Sequence, residues 1–193
     1  MKKNENVVKR LFLKGVFPHQ MSFILLIPLR NLLLSPGQLV KRLELRSEDN
    51  VLEVGCGPGY FSPAVAGTLT AGKLVLADIQ QEMLDRARRR MQKKGAFNAE
   101  YYLCDGFAFN FPDALFDRIF MINVIGEVEN KEAYIKEFDR ILKPGGILSI
   151  SELVGNPDKL TVNEMKALLR NTNLEFCKLY GNRINYTVNF KKK

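Results

Sequence analysis

The sequence has no tryptophan and a single histidine, His19. Its three cysteines, Cys56, Cys104 and Cys177, are widely spread and form no CxxC pair. An odd, scattered cysteine set does not build a disulfide scaffold, and one histidine does not complete the ligand spacing of a zinc site. A reducing compartment, the cytoplasm, is the expected location. Long apolar runs are missing as well. The most apolar stretch, MSFILLIPLRNLLL at residues 21–34, is broken by Pro28, Arg30 and Asn31, whereas a membrane span takes about 20 predominantly apolar residues. No small-residue cleavage site follows the basic start, so the segment does not read as a signal peptide. An amphipathic helix or pair of helices that caps the core or touches lipid fits it better.

What is present suits one α/β domain with an extension: 193 residues, 46% apolar and 26% charged, far from the composition of disorder. Residues 1–46 are expected to form an N-terminal helical extension or lid, and residues 47–193 the main domain. The net charge of +8 is uneven. Residues 1–46 carry nine Lys/Arg against two acids, a charge of +7; residues 171–193 carry five against one, a charge of +4; the remainder is −3. Basic flanks can attract nucleic acid or an anionic membrane surface, and both contacts stand beside the plainer reading of a solvated surface. The sequence carries no signal for an oligomeric state.

From Asn50 the hydrophobic period changes. Apolar β-rich runs alternate with helical ones, the pattern of a parallel sheet covered on both faces. VLEVG, KLVLAD, EYYLC, FDRIFMI and ILSIS read as strands. Helices are expected after Gly59, over 80–94, over 131–142 and over 162–170. In the third, Tyr134, Phe138, Ile141 and Leu142 share a face, and Pro144-Gly145-Gly146 ends it. The run RARRRMQKK at 86–94 reads as a solvated face, with Met83, Leu84, Ala87 and Met91 turned to the sheet. LEFCKLY and RINYTVNF read as a hairpin turning at Gly181-Asn182, which adds an antiparallel strand.

The strongest chemical signal is VLEVGCGPGY at 51–60. A strand runs into Gly55, Gly57 and Gly59 and then into a helix, so a ligand can come close to main-chain N–H groups. Dinucleotide folds use GxGxxG to hold a pyrophosphate, but here the spacing is GxGxG and position 60 is tyrosine. Glu53 would repel a pyrophosphate and favours a ligand with a cationic end. Asp78 closes the second strand, where a carboxylate can accept from both hydroxyls of a ribose. Asp105 follows the third strand and could accept from the exocyclic amine of adenine, or bond its own backbone as a turn cap. Cys56 reads as a small residue fitting the loop rather than a nucleophile.

These motifs, with LADIQQEML, LCDGF, FDRIFMIN and LKPGGILSISE in order over about 50–152, resemble the class I S-adenosylmethionine-dependent methyltransferases of the type 11 group, which includes quinone-biosynthesis methyltransferases. The resemblance implies a Rossmann-like α/β fold: a seven-stranded, mostly parallel sheet whose last strand is antiparallel, with helices on both faces. It implies S-adenosyl-L-methionine as cofactor. The loop around Gly55, Cys56, Gly57 and Gly59 would meet its methionine part, with Glu53 near the amino group. Asp78 would hold the ribose, Ile79 and Phe107 would flank the adenine beside Gly106, and Asp105 would take the amine. The backbone near Asn123 would approach the methionine moiety. Relatives commonly carry a histidine near the position of Gly126, which this chain lacks.

The expected acceptor is a small molecule, lipophilic if the apolar N-terminal segment is a lid. Glu127, Glu152 and His19 are the candidate general bases, none of them assigned. An RNA methyltransferase using the basic flanks is the alternative, although NVIGE follows the fourth strand in place of the NPPY-like or Pro-Cys turns of base modifiers. A protein that binds the cofactor without catalysis, or that needs a partner subunit, is the third class.

Overall fold

The computed structural model describes residues 31–193; His19 and most of the 21–34 segment lie outside the described residues. Seven strands form one sheet: β1 (Asn50–Val54), β2 (Lys73–Asp78), β3 (Ala99–Leu103), β4 (Phe116–Ile122), β5 (Leu142–Glu152), β6 (Leu174–Gly181) and β7 (Tyr186–Lys192). Their order is β3-β2-β1-β4-β5-β7-β6. β7 runs antiparallel to both its neighbours and the other pairings are parallel. The order reverses between β1 and β4, which places a crevice at their carboxyl ends.

Helices cover both faces. α1 (Pro36–Leu43), α2 (Ser62–Thr68) and α3 (Gln81–Lys93) pack on one side, burying Leu39, Leu43, Val65, Leu84, Ala87 and Met91. α4 (Lys131–Ile141) and α5 (Val162–Leu168) pack on the other through Tyr134, Ile135, Phe138, Ile141 and Met165. The apolar face of α3 is the one its spacing predicts; Arg88 and Arg89 are exposed, whereas Arg90 departs from the solvated-face expectation, half-buried with its guanidinium 5.5 Å from the centre of the Tyr60 ring. The described part of the expected 1–46 extension packs into the core: Leu34, Leu39 and Leu43 are buried, and Ser35 caps α1 in a reciprocal capping box with Gln38. Among the described residues no helix is long and apolar enough to cross a membrane.

Two boundaries differ from the sequence expectation. α4 stops at Ile141, and Leu142 opens β5, pairing with Phe116 before residues 143–146 bulge out and Ile147 resumes the register against Arg118. Pro144 disfavours helical geometry in the residue before it. The terminal turn is longer than Gly181-Asn182: the Asn182 side chain accepts from the N–H groups of Ile184 and Asn185, so residues 183–185 belong to the turn and β7 begins at Tyr186.

Candidate active site

The loops after β1, β2, β3, β4 and β5 enclose a cavity of about 620 Å³ at the carboxyl edge of the sheet. Glu53, Gly55, Cys56, Gly57, Asp78, Ile79, Asp105, Gly106, Phe107 and Asn123 all line it. Gly59 does not. It has φ +73°, and a Cβ there would lie 3.1 Å from Ala87, so this glycine serves the close packing of the loop on α3.

The loop itself corrects one expectation. The N–H groups of Gly55 and Cys56 both donate to the Ala77 carbonyl, at 2.8 and 3.1 Å, and that of Gly59 donates to the Cys56 carbonyl. The Gly57 N–H donates to Asp78 Oδ2 at 2.9 Å, and Pro58 has no N–H. Every main-chain donor from 55 to 59 is spent inside the protein, so the loop offers no N–H cradle for a pyrophosphate. What it offers is bare backbone: Gly55 and Gly57 have φ of +65° and +53°, and the Gly55 position is pressed against the Val124 side chain.

Charge in the cavity has one sign. Glu53, Asp78, Asp105, Glu127, Glu129 and Asp158 line it, and among the described lining residues there is no lysine, arginine or histidine. Glu53 is buried, accepts from Ser62 Oγ at 2.6 Å, and burial pushes its carboxyl up to about 8, with Asp78 adding to the rise. Burial also raises Asp78, against the N–H bonds from Gln80 and Gly57 that favour its anion. Each Asp78 oxygen accepts one backbone N–H, which leaves each with acceptor capacity for a diol. Asp105 is exposed, and its Oδ1 caps the following turn by accepting from Phe107 and Ala108 at 2.8 and 3.2 Å; these bonds hold it below the usual carboxylate range. Ile79 and Phe107 present exposed apolar surface to the cavity, suited to the faces of a planar ring. Asn123 takes φ +59°, and its side chain accepts from the Leu153 N–H at 2.7 Å.

Of the three candidate bases, Glu127 lines the cavity. Glu152 is wholly buried and does not line it. His19 lies outside the described residues. The sequence reading missed the wall after β5, residues 153–158, together with Tyr134 and Cys104. Burial raises both Tyr134 and Cys104, the thiol to about 11. The Gly155-Asn156-Pro157-Asp158 run is a turn signal that could have marked that wall. The position expected to bear a histidine in relatives, Gly126, faces the Asp158 backbone so closely that a Cβ would lie 2.0 Å from its carbonyl oxygen.

The donor chemistry therefore fits S-adenosylmethionine: a cation among carboxylates, a diol-binding aspartate at the end of β2, and a loop with no spare N–H for phosphate. Residues 51–146 match a family described as a methyltransferase domain. The ubiquinone/menaquinone biosynthesis C-methyltransferase UbiE of Coxiella burnetii is 30% identical over 131 residues, 67% of this chain and 51% of that protein. UbiE of Pseudomonas putida is 37% identical over 121 residues, 60% of this chain and 46% of that protein. The chain thus spans about half the length of the curated relatives it matches. A solved SAM-dependent methyltransferase from Aquifex aeolicus shares the fold with a TM-score of 0.85 at 22% identity, covering 92% of this chain and 100% of that one. The Aquifex likeness shows the fold, and the motif order, the methyltransferase-domain match and the curated relatives place this chain in the class I S-adenosylmethionine-dependent methyltransferases.

Proposed function

We propose that the protein transfers a methyl group from S-adenosylmethionine to a small, apolar acceptor that is neutral or cationic where it enters the cavity. The observation that carries this reading is the all-acidic charge of the cavity, coupled to a glycine loop without a free N–H. A phosphate-bearing acceptor would meet carboxylates with no described cation to offset them, which speaks against RNA at this site. The apolar share of the acceptor side comes from Leu33, Val124, Val128, Leu153 and Val154. The relatives named as ubiquinone/menaquinone biosynthesis C-methyltransferases support a carbon atom as the finer reading of the acceptor.

The bound cofactor supplies an electrophilic methyl group on a sulfonium. The chain's own part is to bind, orient and exclude water, effects worth about 7–11 kcal/mol in well-oriented reactions. Asp78 would hold the ribose hydroxyls, Ile79 and Phe107 would flank the adenine, and the second oxygen of Asp105 would accept from its amine. Glu53 would bind the amino group. If the acceptor atom carries a proton, Glu127 is the carboxylate on the cavity wall that can take it.

Two measurements test this. Asp78→Ala should weaken S-adenosylmethionine binding by about tenfold or more in calorimetry, the size expected for losing charged hydrogen bonds; wild-type affinity would overturn the cofactor assignment. Purified protein with labelled methyl donor and fractionated cell extract should label the lipid or small-molecule fraction, and label appearing only in RNA would overturn the acceptor class.

A further inference from the structure

Glu152 is the last residue of β5 and is 0% exposed. Its Oε2 accepts from Asn156 Nδ2 at 2.8 Å, while Oε1 has no hydrogen-bond partner among the described residues. A buried carboxyl with an unmet oxygen is costly, and an apolar residue would fill the same space at less cost. The group it holds is not a neutral bystander. Asn156 belongs to the cavity wall formed by residues 153–158, and its own Oδ1 accepts from the Asp158 N–H at 3.0 Å. The wall is pinned at its start, where the Leu153 and Val154 N–H groups donate to the side chains of Asn123 and Asn185. Its middle rests on Glu152.

We propose that Glu152 is a positioning residue for the acceptor side of the cavity: its bond from Asn156 ties the 153–158 wall to β5, and because the closed wall keeps the carboxyl out of water, closure favours its protonated form and ionisation loosens the wall. That this wall faces an acceptor rests on the methyl transfer proposed above; the hold itself does not.

The charged and titratable groups around Glu152 set the direction. Burial pushes its carboxyl up to about 7; the Asn156 amide and Lys159 favour the anion and Asp158 opposes it, and desolvation outweighs them all. Lys159 is engaged elsewhere, donating to the carbonyls of Arg183 and Ile184 and lying 4.7 Å from the centre of the Tyr186 ring. Tyr186 on β7 donates its hydroxyl to the Leu160 carbonyl and also feels Glu164 of α5. The closed wall binds a proton on Glu152 more tightly than an opened, hydrated one does. Closure is therefore strongest below the ordinary glutamate range, weakens as pH rises toward about 7, and levels off above it.

The test is hydrogen exchange of the amides at 153–160, expressed as protection factors between pH 5.5 and 8.5, with calorimetry of S-adenosylmethionine alongside. Wild-type protection should fall by about tenfold or more between pH 5.5 and 7.5 and then flatten. Glu152→Gln, which keeps an oxygen for Asn156, should remain protected across the range, and Asn156→Ala should be poorly protected throughout. Cofactor affinity should change less than about twofold in both. A flat wild-type profile, or a Glu152→Gln profile that falls like the wild type, overturns the proposal. Failure of the wild type to bind cofactor would instead strike the methyltransferase reading, and the exchange profile would still decide the role of Glu152.

Discussion

Glu53 combines two properties that pull against each other: a carboxylate suited to a cationic ligand, and a burial that holds it largely protonated at neutral pH. Binding a cation beside it favours the ionised form, so the proton must leave. Cofactor affinity should rise with pH up to about 8 and then level, with proton release visible in calorimetry across buffers of different ionisation enthalpy. Glu53→Gln should abolish that dependence. Gly55→Ala tests the backbone beside it. The new methyl would enter a left-handed residue and meet Val124 Cγ2 at 2.4 Å, a strain of about 1–3 kcal/mol that thermal unfolding would reveal together with weakened cofactor binding. The residue types of the site were readable because acids at strand ends and a glycine turn have few other uses in combination. Which way the N–H groups of 55–59 point was not readable, because spacing does not say whether a donor faces a ligand or Ala77. Gly59 shows the same ambiguity: the same residue serves a ligand's approach or a helix's.

The strands and helices were legible through periodicity, and the misses sit where side chains override it. Leu142 continues the apolar face of α4 in sequence, yet the sheet takes it into β5. Asn182 captures two N–H groups and lengthens a turn that Gly181 alone would have made short. The wall at 153–158 has no period at all, and its shape comes from side-chain bonds to Asn123, Glu152 and Asn185, pairings that spacing along the chain does not reveal. A further long-range tie holds α1. Arg118 on β4 donates to the carbonyls of Leu43 and Glu44 at the end of that helix, and its guanidinium lies 3.6 Å from the buried Asp49 carboxylate. Arg118→Met would leave those carbonyls and that charge uncompensated. A loss of about 3 kcal/mol is expected in denaturant unfolding, with α1 exchanging its amides first.

Seen whole, the molecule separates its charges: net +8 over the sequence, carried mostly by its two ends, and a cavity whose described lining bears only acids. Attraction of a polyanion and binding of the cofactor should therefore be independent. RNA or anionic vesicles held by the basic flanks should be released by moderate salt and remain unaffected by saturating S-adenosylmethionine; mutual displacement would show a shared site. The close approach of Asp158 to Gly126 has a consequence for anyone wishing to retarget the enzyme. Any side chain introduced at 126 must evict the neighbouring backbone, so that position cannot be varied unless the chain around 158 moves as well. A histidine installed there alone should be worse than neutral, and should become tolerable only in a library that also shortens or reshapes residues 155–159.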